Sequence, residues 1–308
     1  MADLRLDTRE GAFAARPTGK PIVPGNAAAS LVYQRIATDS KAKVMPPVQS
    51  KRVLTAAQKD AIKTCIEQGA PWKEHWSFAA PARPAPPAVT NARWARNAVD
   101  RFVLARLDAA GLQPAPEADR RTLARRASLD ITGLPPTPEM VDSLVNDKAP
   151  QAYERYLDRL FESRQWGEHR ARYWLDAARY ADTHGIHVDN YREMWPYRDW
   201  VIAAFNRNLP FDRFVTEQIA GDLLPNPTTE QLVATGFHRC NPTSNEDGAI
   251  AEEFEAIYAK DRVDTTGAVF LGLTVGCATC HDHKVRPDFT ARLLFARRLL
   301  PQHHARAV

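Results

Sequence analysis

Two cysteines three residues apart, Cys277 and Cys280, run straight into His281, and His283 follows within the segment GCATCHDHK at 276–284. Cys-x-x-Cys-His is the attachment pattern of a c-type haem. On a helical turn this spacing puts both thiols on one side, where each can bond a vinyl carbon, and the adjacent imidazole then reaches the iron. In this reading Cys277 and Cys280 are the covalent anchors and His281 is the axial ligand, its other ring nitrogen held by an acceptor in the surrounding protein. Zinc is the alternative cofactor, because Cys277, Cys280, His281 and His283 supply N and S donors. Ligands so close in sequence, however, rarely wrap one ion tetrahedrally without a distant second pair. A thioredoxin-like dithiol would follow a strand, and no strand is expected before residue 277. His283 reads as a surface or hydrogen-bonding residue.

A second set of chemistry-bearing residues lies in RYADTHGIHVDN at 179–190. Asp182, His184, His187 and Asp189 surround a glycine there and could hold a metal, with Asp182, His184 and His187 as the ligands, or supply an acid/base pair. A loop held by its own hydrogen bonds is the competing reading. One of these histidines, or His238 in GFHRCN, could also be the second axial ligand of a haem at His281, and the residues leave that choice open. Glu246, Asp247, Glu252, Glu253 and Glu255 could perform hydrolytic chemistry as paired carboxylates. A turn at 245–248 followed by a helix whose first turn attracts acids accounts for them more simply. Cys240 has no evident base nearby and reads as structural.

The elements that must position these groups are helices. In ASLVYQRIA, Leu31, Val32 and Ile36 fall on one face. In LTAAQKDAIKTCIEQGAPW, Thr55 and Gln58 stand at capping-box spacing, Ile62, Cys65 and Ile66 form an apolar stripe, and Gly69 and Pro71 end the helix, so Cys65 is expected to be buried. The prolines of FAAPARPAPPAVT at 78–90 cannot continue a helix and favour an extended spacer. Beyond it Val99, Phe102, Val103 and Leu107 share a helical face that closes at Gly111, and a proline-rich loop leads into a helix at Thr137. Further stripes run through Tyr153, Tyr156, Leu157 and Leu160, through Trp166, Tyr173, Trp174 and Ala177, and through Trp195, Trp200, Val201 and Phe205; these are expected to be core. Val263, Gly267, Phe270, Leu271 and Thr274 describe a buried helix that delivers the cysteines, its small residues allowing a close approach. The predicted class is mainly α.

A chain of 308 residues can bury one large core or two smaller ones. It carries 41 basic and 37 acidic residues, a net charge of +4, spread along its length. Such a balance offers no basic stripe for nucleic acid, and no apolar run approaches the roughly 20 residues of a membrane span. Four cysteines are too few and too scattered for a disulfide scaffold. The start MADLRLDTREGAF has neither the apolar core nor the cleavage site of a secretory leader, so no signal peptide is read in this chain.

Several blocks resemble the uncharacterised domain that follows a cytochrome c module in large planctomycete-type proteins. They are NAVDRFVLARLDAAGLQPAPEADRRTLARRASLDITGLPPTPE, YWLDAARYADTHGIHVDN, WPYRDWVIAAFNRNLPFDRFVTEQIAGDLLP, LVATGFHRCN and DRVDTTGAVFLGLTVGCATCHDHK. LRLDTREGA, GKPIVPGNAAASLVYQRI, MPP and LTAAQKDAIKTCIEQGAPWKEHWSF resemble the second half of that cytochrome c module. The resemblance implies that the module's own haem motif lies upstream of residue 1. It also places Met45 where a distal methionine would stand, here an ordinary loop methionine without its haem.

The expected organisation is therefore a partial cytochrome c-like module at 1–76, a Pro-rich linker at 77–93, a helical domain of unknown function at 94–285 and an atypical tail at 286–308. The tail departs from the family pattern and reads as truncated or frame-shifted, so His303 and His304 carry no functional weight, and further domains are expected downstream. Function is expected to be covalent haem c binding with a redox or electron-transfer role toward an unidentified redox partner protein, and the resemblance implies a periplasmic or cell-envelope location for the parent protein. A metal-dependent hydrolase and a zinc-binding interaction module are the rivals, and no catalytic residue is assigned.

Overall fold

The computed structural model describes residues 6, 8–72, 79–244, 248 and 250–280. Among these, twelve α-helices account for the regular structure, joined by short 3-10 turns. No strand forms among the described residues; the extended pairing present is limited to two isolated bridges, Thr183 with Tyr191 and Gly185 with Thr243. The mainly α class is thus the observed one. No helix among the described residues is long and apolar enough to cross a membrane.

The chain divides into two compact units, Met1–Pro114 and Ala115–Val308. In the first, α1 (Arg9–Phe13), α2 (Leu31–Ala37), α3 (Ala56–Glu67) and α4 (Ala98–Ala109) are short. Thr55 caps α3 with the reciprocal Gln58 contact that its sequence calls for. Val32, Ile36 and Ile66 are buried, and the loop before α2 is tied to α3 by the Gly25 N–H donating to the Ile66 carbonyl at 2.8 Å. Met45 lies on the loop after α2, its N–H donating to the Arg35 carbonyl at 2.9 Å.

Two expectations for this unit need correction. Cys65 is exposed. It sits about 100° around α3 from buried Ile66, off the edge of the stripe that Ile66 shares with Ile62 four residues before it. On α4 the expected apolar face is turned outward, with Val99, Phe102 and Val103 exposed. The inward side is Leu104, 1% exposed, with Leu107 partly covered and Asp108 accepting from both the Thr90 N–H (3.1 Å) and the Thr90 hydroxyl (2.8 Å). The residue this helix buries is thus Leu104, beside the surface pair that joins Asp108 to Thr90.

Residues 81–89 adopt no regular structure, and their side chains are almost all exposed. The boundary at this proline-rich stretch remains our proposal. Limited proteolysis is expected to cut the full chain here first, because an exposed, unpaired backbone is the preferred substrate; first cuts within α5 to α10, defined below, would contradict it.

In the second unit α5 (Arg120–Thr132), α6 (Pro138–Asn146) and α7 (Ala152–Phe161) enclose one core, and α8 (Arg164–Ala177), α9 (Trp195–Asn206), α10 (Phe211–Ala220) and α11 (Thr229–Ala234) a second. In the first core, Ala124, Ala127 and Ile131 of α5 meet Leu144 of α6 and Tyr156 and Leu160 of α7. The buried Tyr156 hydroxyl bonds Ser128 Oγ at 2.9 Å and donates to the Ala124 carbonyl at 3.1 Å, so its polar end is satisfied. Thr137 caps α6 with Pro138 at the first helical position, where the missing N–H costs nothing.

The second core gathers Tyr197, Trp200, Val201 and Ala204 of α9, Phe214 of α10, and Phe237 and Cys240 beyond α11. Trp200 stacks on Phe214 at 5.4 Å, and Trp174 of α8 meets Phe214 edge-on at 4.7 Å. Trp174 Nε1–H and the Tyr197 hydroxyl both donate to the buried Gln218 Oε1, at 2.8 and 2.7 Å. The aromatic stripes are therefore core for the most part, but Tyr173, Ala177 and Trp195 are exposed. Arg170 and Arg172 each lie over the Tyr173 ring, an environment that keeps an aromatic at the surface. The long helix α12 (Ala251–Leu271) is fastened to the end of α8 by a bidentate pair, Arg179 to Asp261 at 2.8 and 2.6 Å.

Candidate functional site

The cysteines stand at the end of α12, and the local chain explains how they are presented. Gly272, in the left-handed region at φ 63°, closes the helix by donating its N–H to the Gly267 carbonyl, and the Leu273 N–H donates to the same oxygen at 3.0 Å. The chain then reverses along the helix it has just left, so that Val275 and Ala278 pack against Val263. Gly267 makes this possible: a Cβ there would lie 2.9 Å from Val275 Cγ2. The close approach expected of the small residues is thus an approach by the chain's own return. Phe270 packs on Phe237 at 5.0 Å, as a buried helix requires, whereas Leu271 and Thr274 face solvent, contrary to the expected stripe, because the helix has ended and turned.

Gly276–Thr279 forms a 3-10 turn, with the Ala278 N–H donating to the Val275 carbonyl at 2.9 Å and the Cys280 N–H to the Cys277 carbonyl at 3.3 Å. In a 3-10 turn side chains three apart eclipse one another. Cys277 and Cys280 are accordingly both exposed while Ala278 between them is buried. Asp264, one turn before Gly267, flanks the turn: a Cβ on Gly276 would lie 3.3 Å from its Oδ2, which accepts from Lys260 Nζ at 2.5 Å. His281 and His283 lie outside the described residues, as do His303 and His304.

The Asp182 to Asp189 segment is held by hydrogen bonds within its own loop and to residues 241–243. Both oxygens of the Asp182 carboxylate accept from the Tyr180 hydroxyl at 2.7 Å, and Oδ1 also accepts from the Met194 N–H at 3.2 Å. Burial and this carboxylate together push the Tyr180 hydroxyl well above its ordinary pKa. His184 Nδ1 lies 2.7 Å from Thr243 Oγ1, and its backbone carbonyl accepts from the Thr243 N–H at 2.9 Å. His187 and Asp189 adopt positive φ, and Asp189 accepts from the Gly185 N–H at 2.6 Å, which holds its carboxyl below the usual range, the Thr183 side chain contributing most. Among the described residues no three His, Cys, Asp or Glu side chains are grouped to hold a metal. Glu252 and Glu253 occupy the first turn of α12, where the helix dipole favours acids, while Glu246 and Asp247 lie outside the described residues.

Cys240 is buried, its Sγ 3.5 Å from the Gly236 carbonyl, and burial pushes the thiol up to about 12. Its neutral form is thus the one the fold favours. The resulting stability is complete below the unfolded thiol's pKa of about 8.5 and is lost as pH rises toward the folded value. At pH 8 iodoacetamide is expected to modify Cys65, Cys277 and Cys280 in the folded, haem-free chain well before Cys240. Equal labelling of all the cysteines, read by peptide mass spectrometry, would contradict this placement.

Residues that sequence reasoning passed over are the arginines around Asn241. Arg192 donates to the Asn241 carbonyl and to Thr243 Oγ1, each at 3.1 Å, and buried Arg262 of α12 donates its Nε–H to Asn241 Oδ1 at 3.4 Å. Burial pulls both guanidiniums below their ordinary pKa, Asp261 partly offsetting this at Arg262 and Arg239 adding to it. Arginine is read as a surface residue unless paired, so a sequence gives no direct sign of a buried one. The available sign was its position: Arg262 lies beside Val263 on the buried face of α12.

Comparison with known proteins adds two matches. Residues 1–49 match the family described as planctomycete cytochrome C. No curated protein and no solved structure matches the chain. The second match, to residues 98–291, spans well over half of the chain and takes in α4 through the cysteine turn, and by it the chain belongs to the PSCyt2 family, described as a protein of unknown function (DUF1549).

Proposed function

We propose that the chain is a c-type haem protein with a redox role, in which Cys277 and Cys280 carry the haem covalently and His281 ligates its iron. The observation that carries this reading is the turn itself. Two thiols three apart on a 3-10 turn face solvent together, which is the presentation an attachment reaction needs, and imidazole is the next residue. Each thiol would add its sulfur and its hydrogen across one vinyl group, leaving a thioether. The donor set fits haem better than zinc, since haem asks for two thiols and one adjacent imidazole, whereas four ligands from one short stretch rarely wrap a single ion tetrahedrally. The match of residues 1–49 to a cytochrome c family supports the same chemistry and an extracytoplasmic location, where such attachment takes place.

Bound haem would supply one-electron transfer. The protein's part is to fix the ligand: the return of the chain onto Val263 and Gly267 holds the turn rigidly at the end of α12, and the Arg179–Asp261 pair holds α12 on α8. The first unit contributes no Cys-x-x-Cys-His of its own, so the reading requires one haem per chain. The test is the full chain exported to an oxidising compartment with haem-attachment machinery. A reduced c-type spectrum and a haem-to-chain ratio near one are expected. Colourless protein with one zinc per chain would replace this reading with the zinc module.

A further inference from the structure

A cavity of about 570 Å³ in the second unit, where the end of α5 meets α8, is lined by none of the residues assigned above to haem. His169, Arg170, Arg172 and Tyr173 of α8 form one wall and Asp130 of α5 belongs to the other. Gly133, which closes α5 in the left-handed region at φ 72°, lets the His169 ring into the wall, since a Cβ there would collide with its Nδ1. The ring meets Tyr173 edge-on at 5.6 Å. Arg170 is held by donating to the Asp130 carbonyl at 3.1 Å and by lying over Trp166 at 4.7 Å. Arg172 is exposed and makes one bond, 3.3 Å to the Tyr173 hydroxyl; it forms no ion pair among the described residues, not even with Asp176 one turn later. Glu168 is taken by Arg164 at 2.9 Å. The Asp130 carboxylate is exposed and likewise forms no ion pair among the described residues. Its charge reaches His169, where it opposes burial, Arg172 and Arg170, which together hold that imidazole below its ordinary pKa.

The mixture of donors and one acceptor narrows the ligand. Arg172, the Tyr173 hydroxyl and a His169 ring N–H are donors on three side chains, which suits the several oxygens of a tetrahedral oxyanion. Asp130 is unfavourable to an anion with no proton to give, such as sulfate. It is favourable to phosphate, whose second proton leaves an ester only near about pH 6, so that an O–H remains for a carboxylate to accept. We propose that this cavity binds a phosphate group, free or as the monoester of a polar alcohol, with Arg172, Tyr173 and His169 donating to its oxygens and Asp130 accepting from its remaining O–H. The volume, within the roughly 300–1,000 Å³ of ligand pockets, leaves room for the alcohol. The proposal is independent of haem, since it depends on neither Cys277 nor Cys280.

Titration calorimetry of the full chain at about pH 6 with inorganic phosphate, glycerol 3-phosphate and sulfate tests it. Both phosphates are expected to bind, and sulfate about tenfold or more weakly, because it repels Asp130 and returns no hydrogen bond. Glycerol 3-phosphate binding more tightly than phosphate assigns the ester, and any other order of the two assigns the free ion. The His169 imidazole, followed by NMR, should titrate at higher pH with phosphate bound, since an adjacent anion favours the imidazolium. Arg172→Gln should weaken phosphate by about tenfold with an unchanged melting temperature, the side chain being exposed. Asp130→Asn should erase the preference over sulfate. No phosphate binding at about 10 mM, sulfate matching phosphate in the unaltered chain, an unmoved His169 titration, or Arg172→Gln leaving phosphate affinity unaltered would each overturn the proposal. Arg170→Gln is a weaker test because it removes the bond from α8 to the Asp130 carbonyl, and Arg172→Gln keeps the question answerable if that variant unfolds.

Discussion

Alanine at both Cys277 and Cys280 is expected to remove all denaturant-resistant haem from the full chain matured with attachment machinery, while leaving the helical content unchanged. The expectation is all-or-none because a thioether survives boiling and detergent, whereas a merely ligated haem is stripped. Exposure of both thiols on the turn means that their removal deletes little buried surface, so the fold should not suffer. Either single variant should retain haem through one thioether, with a shifted reduced spectrum. His281→Ala should keep the thioethers and change the iron's axial ligation, which separates anchor from ligand in the same set of proteins. Full haem staining in the double variant would remove these cysteines from the attachment chemistry altogether. Acid or a chelator would instead release zinc and leave no stain to lose in any variant.

The turn that this experiment probes was legible in the sequence for a physical reason. Cys-x-x-Cys-His has a spacing that only a helical turn makes useful, and the small-residue helix before it foretold a close approach. What could not be read was the identity of the approaching group. Gly267 allows contact with any neighbour, and the neighbour is Val275 of the same chain, reached because Gly272 stops the helix in the left-handed region. Capping patterns transferred well: Thr55 and Thr137 cap as their local sequences require, since a cap is satisfied within one turn.

Helix orientation transferred poorly on α4. Leu104 is turned inward there and Val99, Phe102 and Val103 lie outside, so the side with more apolar residues is not the side that is buried, which no periodicity count would weigh correctly. The aspartate and histidines of 182–187 illustrate the converse. Their residue types permit a metal or a hydrogen-bonded loop; the partner of Asp182, Tyr180, is local, but the partner of His184, Thr243, is apparent only once the bridge from Gly185 to Thr243 brings distant segments together. The buried arginine at 262 is illegible for the same reason, because the Asn241 side chain that accepts from it lies 21 residues away in sequence.

Gly267→Ala sets two magnitudes against each other. Within a helix, alanine is favoured over glycine by about 1 kcal/mol, so an unhindered exchange would stabilise α12. Here the added Cβ would stand 2.9 Å from Val275 Cγ2 and 3.2 Å from Cγ1, both on a β-branched side chain that is buried and cannot swing away. Overpacking of that kind costs roughly 1–3 kcal/mol, which exceeds the propensity gain over most of its range. Net destabilisation is therefore expected, concentrated at the return of the chain, with a lower yield of attached haem because the turn no longer sits where Val263 holds it. Gly267→Ala combined with Val275→Ala should be less damaging than the two single effects added, since the second change removes the atoms the first one strikes. Strict additivity in that cycle, or a rise in melting temperature for Gly267→Ala alone, would mean that the cysteine turn is not held by this contact.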